Sequence, residues 1–221
     1  MPSSRKKTVH LFDCDGVILD SNRLKITALE FALDSVGSSA EFIDWATEEF
    51  RVNFGRTRAK HFEIFEKNDS FTNCNFTSEM SYQAISLYAE RVMSLYLKCE
   101  IIEETYEYLS QLPFDHSIFV VSASDQAELK SILPSRIPRL NSVNIFGGPT
   151  EKAENIRCIL ELCGSEDAVL YGDSVKDGLA AAANDVYFCG LTKYSADSEA
   201  LISFCMKWNA DFYEHCMQVS L

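Results

Sequence analysis

Two aspartates with one residue between them, Asp13 and Asp15, and Gly16 directly behind, are the first place in this chain where chemistry can be sited. Paired carboxylates can bind a hard cation, attack an electrophile or carry a proton. They follow Val9-His10-Leu11-Phe12, a short, mostly apolar run with the length of a buried strand. At i and i+2 on an ideal strand both side chains share one face. In open α/β sheets ligands bind beyond the carboxyl ends of the strands, which is where these residues stand. One carboxylate at such a place is ordinarily a turn or a cap. Two with glycine next are harder to explain that way.

Three later stretches offer complementary groups. Ser122, in Ser122-Ala123-Ser124-Asp125, closes an apolar run, and its hydroxyl can donate to an anion near Asp13; Ser124 or Asp125 suits the cap of the next helix. Lys152 stands in the first turn of a helical pattern, where the macrodipole disfavours positive charge unless an anion is close. Asp173 ends another apolar run, and Asp177 comes one helical turn later, so both can face one point.

The elements that must position these groups follow from periodicity. Leu24, Ala28, Phe31, Ala32 and Val36 recur at helical spacing up to Gly37. Glu41 to Phe54 and Arg56 to Lys67 read as further helical pieces, with breaks near Gly55 and at Asn68-Asp69. Ser78 suits the cap of a long helix to Leu97, with Ile85, Tyr88, Ala89 and Val92 on one face. No strand signal intervenes before Cys99-Glu100-Ile101, where the chain returns ahead of a helix at Glu103 to Gln111. From Pro113 onward strands and helices alternate. The strands are Ser117 to Val121, Val143 to Phe146, Ala168 to Tyr171 and Val186 to Cys189. The helices between them run from Asp125 to Leu133, Glu151 to Cys163 and Val175 to Ala183. Such alternation predicts an α/β fold, a Rossmann-like doubly wound parallel sheet. The division expected is a core of residues 1–20 and 101–221 with an inserted α-helical cap at 21–100.

Composition sets outer limits. In 221 residues, 47% are apolar, which is enough for a packed core and argues against disorder. The formal net charge of −13 repels nucleic acid, so phosphate has to be held by a local positive site. No run approaches the length of a membrane span, and the basic start MPSSRKKT leads into an apolar run cut short by Asp13, so a signal peptide is not expected. The 8 cysteines include no CxxC pair and several lie in apolar patterns, which fits reduced thiols in a cytoplasmic protein. The sequons at Asn68 and Asn75 then carry no meaning.

Asp13-Cys14-Asp15-Gly16-Val17-Ile18-Leu19-Asp20-Ser21 resembles the first motif of the haloacid dehalogenase superfamily of phosphohydrolases, in its DxDGVxxDS form. Ser122 resembles the second motif and Lys152 the third, with Lys176 as the fallback lysine. Gly172-Asp173-Ser174-Val175-Lys176-Asp177, continuing as Gly178-Leu179-Ala180-Ala181, resembles the fourth. The motifs come in the family's order over nearly the whole chain. The resemblance implies that Asp13 is the nucleophile forming an aspartyl phosphate and Asp15 the general acid and base. It implies that Ser122, Ala123 and Lys152 bind the phosphoryl group, and that Asp13, Asp15 (by its backbone carbonyl), Asp173 and Asp177 form the metal site. Like charges 4 Å apart repel by roughly 4 kcal/mol at an effective dielectric near 20, so a cation is needed, and carboxylates beside a phosphate favour Mg²⁺.

The same resemblance points to the subclass with a helical cap after the first motif, that of phosphoglycolate phosphatase, sugar phosphatases and β-phosphoglucomutase. There Phe54-Gly55-Arg56-Thr57-Arg58 is similar to the cap loop, which places Arg58 on the distal part of the substrate, with Arg56, Lys60 and His61 beside it. Lys25 stands where the mutase has a histidine, which favours hydrolysis, and it is a second candidate substrate contact. The expected partner is a small phosphorylated metabolite and the expected assembly a monomer or homodimer. The alternatives are a phosphoryl mutase and a catalytically idle binding module; the presence of Asp15 argues for a phosphate ester.

Overall fold

Val9–Phe12 forms strand β1 of a parallel sheet, and its residues alternate between two cores. Val9 and Leu11 face one layer of helices, His10 and Phe12 the other, as the two-residue period of a strand requires. Both faces are buried, so β1 reads as a continuous apolar run. The computed structural model describes residues 8–68, 76–164 and 167–219. Cys74 and Asn75 lie outside the described residues; the other cysteines are all free.

After β1 come four helices, α1 (Asn22–Ser35), α2 (Ala40–Val52), α3 (Arg58–Glu66) and α4 (Ser78–Tyr96). Helix α1 packs on α2 and α4, and α3 packs on α4. Phe42, Phe62 and Phe65 are wholly enclosed there, each contributing about 1.5–3 kcal/mol by burial. Leu19 and Ile101 form an isolated antiparallel bridge, so the chain leaves and re-enters side by side.

The rest alternates: α5 (Glu103–Gln111), β2 (Ser117–Asp125), α6 (Gln126–Arg136), β3 (Ile145–Gly148), α7 (Lys152–Cys163), β4 (Ala168–Gly172), α8 (Val175–Ala182), β5 (Tyr187–Leu191), α9 (Ser198–Trp208) and β6 (Asp211–Tyr213). All pairings are parallel, in the order β3-β2-β1-β4-β5-β6. Helices α5 and α6 join the core that includes Phe12, whereas α7, α8 and α9 join the core that includes Leu11. The doubly wound α/β sheet read from the sequence is the observed fold. The strand order reverses between β1 and β4, so a crevice opens there at the carboxyl ends.

Several details differ from the sequence reading. The hydroxyl capping α4 is that of Thr77, whose oxygen accepts from the Met80 amide at 3.2 Å; Ser78 is already helical. Helix α1 buries Leu29 and Leu33 beside the expected Ala28 and Ala32, while Phe31 is 45% exposed under the Arg91 guanidinium. Ser142–Asn144 coils into a 3₁₀ turn capped by Asn141, so β3 begins only at Ile145. Strand β2 runs on through Ser122 to Asp125, with a register shift against β3 after Val121. Helix α9 and strand β6 carry no motif and were not anticipated.

Candidate active site

Asp13 follows β1 and Asp173 follows β4, so the two acids stand on either side of the point where strand order reverses. The Asp13 amide donates to the Tyr171 carbonyl at 2.9 Å, which holds the loop after β1 against β4. Gly16 closes that loop with φ +76°, and a Cβ there would stand 2.2 Å from Asp173 Oδ2. Only glycine admits both the backbone and the approach of Asp173. Asp177 sits one turn into α8, where Ser174 caps the helix and Asp177 completes a reciprocal capping box.

These placements bring Asp13, Asp173 and Asp177 together: one oxygen of each lies within 4.8 Å of the others, and all three are buried. Lys152, at the first position of α7, enters the same cluster. Its Nζ is 2.9 Å from Asp13 Oδ1 and also bonds Asp177 Oδ1. The anion needed to offset the helix dipole at Lys152 is therefore present in the protein itself. Asp13 Oδ1 further accepts from the Cys14 amide at 2.7 Å, and Asp173 Oδ2 from Asn22 Nδ2 at 2.6 Å. Asp177 Oδ2 is taken up by the Ser174 amide and hydroxyl.

Three buried carboxylates face a single ammonium, and the surplus shows in their protonation. Burial, then repulsion from Asp177, raises Asp13 to about 7 against the pull of Lys152. Burial, then Asp13 and Asp177, pushes Asp173 well above the carboxylate range. Burial alone would lower Lys152, but Asp13 and Asp177 outweigh it and raise it. A divalent cation would remove the repulsion, and an all-carboxylate oxygen set suits Mg²⁺.

Asp15 lies apart from this cluster. Its carboxylate turns to a different set of partners: Ser21 and Tyr96 hydroxyls donate to Oδ1 at 2.6 Å each, the Ser124 hydroxyl to Oδ2 at 2.6 Å, and Lys25 Nζ to Oδ2 at 3.0 Å. Burial would raise its pKa, but Lys25 and the three hydroxyls bring it down to about 2. Three of the four motif aspartates thus bring their carboxylates together, and the Asp15 carboxylate is neutralised separately by Lys25.

Ser122 is buried on β2, which pairs with β1 through Phe12 and Val120, so it lies two residues beyond that pairing, as Cys14 does on the β1 side. Its oxygen accepts from the Ser124 amide at 3.1 Å. Ala123 and Ser124 line a narrow cleft, about 20 Å³, together with Lys25, Arg56, Arg58, His61 and Tyr96. Arg58 does not point an open guanidinium into it: Nη2 bonds both Glu128 oxygens on α6, at 2.7 and 2.8 Å, and its Cζ lies 5.0 Å over the Tyr88 ring. Arg56 pairs with Glu49 at 2.8 Å, and Lys60 pairs with Glu63 on an exposed face away from the cleft. Lys176 lies under the loop at Gly55, whose missing Cβ would stand 2.8 Å from Lys176 Cβ. The lysine in the acidic cluster is Lys152.

Sequence reasoning missed Tyr96, Ser124, Asn22 and Glu128. Tyr96 and Glu128 carry no local signal, since their partners are distant in the chain. Asn22 and Ser124 adjoin recognised motifs, and a neighbouring polar residue was the only cue.

The comparisons with known proteins fit this architecture. No family model and no curated protein matches the chain. Solved structures do match over nearly its whole length. A haloacid dehalogenase-like hydrolase from Bacteroides fragilis shares 21% identity with a TM-score of 0.76, covering 96% of this chain and 99% of that one. A hydrolase from Pseudomonas syringae shares 18% with a TM-score of 0.74, over 96% and 95%. A protein described as β-phosphoglucomutase from Bacteroides vulgatus shares 18% with a TM-score of 0.73, over 97% and 86%. The fold is thus the haloacid dehalogenase-like fold, with helices between its first strand and the rest of the sheet. Among the described residues no helix is long and apolar enough to cross a membrane.

Proposed function

We propose that this protein is a Mg²⁺-dependent phosphohydrolase that removes phosphate from a small phosphorylated metabolite through an aspartyl-phosphate intermediate. The observation carrying the reading is the Asp13–Lys152 pair inside a buried trio of aspartates, two at adjacent strand ends and one in the first turn of α8. In this reading residues 1–20 and 101–221 form the catalytic core and 21–100 the cap. Asp13 attacks phosphorus as the ester oxygen departs in line. Lys152 and the hydroxyl and amide groups at Ser122 and Ala123 neutralise and position the phosphoryl oxygens. Asp13, Asp173 and Asp177 with the Asp15 carbonyl would hold Mg²⁺, which when bound neutralises phosphate charge.

Asp15, ionised at rest, is placed to accept the proton of the water that hydrolyses the intermediate. To protonate a leaving oxygen first, it must take up a proton from solvent, which shedding its contact with Lys25 favours by raising its proton affinity. Asp177 bonds Lys152 and so orients it. A phosphoryl mutase would use the same groups; the engagement of Lys25 with Asp15, where the mutase has a histidine, favours hydrolysis. Mg²⁺-dependent phosphate release from p-nitrophenyl phosphate tests the reading. Asp13→Asn should abolish it, and persistent turnover by that variant would refute the nucleophile. An idle binding module would show no turnover in either form.

A further inference from the structure

Helix α1 opens on Ser21 and Asn22, two residue types that ordinarily satisfy the free amides of a helix's first turn. Neither does so here. Ser21, the N-cap residue, makes no side-chain bond to the helix, and its hydroxyl goes to Asp15 Oδ1 at 2.6 Å. Asn22 reaches a different aspartate: its Nδ2 donates at 2.6 Å to Oδ2 of Asp173, 151 residues further along the chain. Two neighbours at the base of α1 thus serve two of the motif aspartates, one beyond β1 and one beyond β4.

The neighbours of Asn22 fix the orientation of its amide. Nδ2 also donates to the Tyr194 carbonyl at 3.0 Å, so both of its hydrogens meet acceptors, and the flipped amide would set Oδ1 against two oxygens. Oδ1 is left buried without a partner, although native proteins satisfy most of their buried polar atoms. The position keeps a donor for Asp173 and forgoes the acceptor, which a side chain retained only for packing has no reason to do. Gly16 makes room for the pair, since a Cβ there would stand 2.5 Å from Asn22 Nδ2 as well as 2.2 Å from Asp173 Oδ2.

Asp173 depends on this contact more than its companions would. Asp13 and Asp177 both bond Lys152, whereas Asp173 has no ion pair among the described residues. Asn22 is the one described side chain that donates to its carboxylate, and Oδ1 accepts from none. Ser195, next to Tyr194, donates its hydroxyl to the Asp173 main-chain carbonyl at 2.5 Å, which fixes the backbone and leaves the carboxylate to Asn22. We propose that Asn22 is a positioning residue for the divalent cation: by holding Asp173 Oδ2 it fixes the carboxylate beside Asp13 and Asp177 and keeps Oδ1 available as a ligand. Without the amide the carboxylate is free to change rotamer, and the trio has to be reassembled whenever the cation binds. Loss of such a partner behind a ligating group typically weakens metal binding by about 10–100-fold.

The inference rests on the Mg²⁺-dependent phosphohydrolase reading, and measuring binding apart from turnover separates the two. Mg²⁺ is titrated calorimetrically into the metal-free full chain, unmodified and as Asn22→Ala, and the Tm of each metal-free protein is recorded. The expected result is a dissociation constant raised about tenfold or more in Asn22→Ala. Hydrolysis of p-nitrophenyl phosphate by that variant should fall at limiting Mg²⁺ and recover at saturating Mg²⁺. Asn22→Ser, which keeps a shorter donor, should bind with an intermediate constant and is the second variant should the first fail to fold. An amide that only supports the fold would lower the Tm and leave the constant unchanged, a result that overturns the positioning role. An unmodified chain that takes up no Mg²⁺ overturns it as well, together with the metal dependence. Mg²⁺ binding that Asn22→Ala weakens, with no hydrolysis by any form, would support the role of Asn22 and overturn the phosphohydrolase reading alone.

Discussion

Asp13 and Asp15 are two residues apart, yet they occupy opposite electrostatic surroundings. Around Asp13, three buried carboxylates share one ammonium, and burial with Asp177 raises its pKa to about 7. Around Asp15, one carboxylate is matched by one ammonium and three hydroxyls, and its pKa falls to about 2 despite burial. One side of the loop is an incomplete charge set that calls for a cation. The other is complete within the protein. Identical side chains are thus given different tasks by their partners.

The sharpest way to break this contrast is Asp13→Asn, which should lower phosphate release by about a thousandfold or more, as loss of a covalent nucleophile does, with stability retained. Next comes the cation. Chelation should abolish turnover, and Mg²⁺ at a hundred times its dissociation constant should stabilise the fold by about 2.7 kcal/mol, read as a rise in Tm. No such rise would remove the metal from the acidic trio. Lys25→Met leaves Asp15 ionised without its counter-charge in a mostly buried place, at a cost of about 3 kcal/mol in denaturant unfolding. Tyr96→Phe removes one hydroxyl from the same carboxylate and should cost about 1–2 kcal/mol.

The two sites also predict opposite pH responses. A carboxyl whose folded pKa is raised binds protons more tightly when folded, so Asp13 contributes stability at low pH that is lost as pH rises from about 4 to about 7. Asp15, with its folded pKa depressed, contributes stability above about 4 that is lost as pH falls towards about 2. Unfolding curves of metal-free protein across this range should therefore show the first loss, and Mg²⁺ should cancel it. A flat profile in metal-free protein would mean that the trio carries no surplus charge.

Much of the architecture was legible beforehand, and particular elements show why. Strand β1 and helix α5 fall at the expected residues, since an apolar run ending in charge and an acidic helix start are local signals. The alternation after Pro113 gave the parallel sheet, because short strands joined by helices leave few other topologies. Thr77 against Ser78 was not resolvable, because two adjacent hydroxyls offer the same cap and only backbone dihedrals choose. The buried face of α1 escaped for a similar reason: Ala28 and Ala32 fit two overlapping stripes, and packing on α4 selected the one with Leu29 and Leu33.

The order and types of the chemical residues, from Asp13 and Asp15 through Ser122 and Lys152 to Asp173 and Asp177, were settled by the amino-acid sequence, because each sits at a strand end or a helix start with a local signature. Which of them touch was decided by the tertiary structure alone. Only the way α4 and α6 are placed in the fold brings Tyr96 to Asp15 and Glu128 to Arg58. Periodicity tells which side of an element is buried, and the partner across the gap is set by how the elements stack.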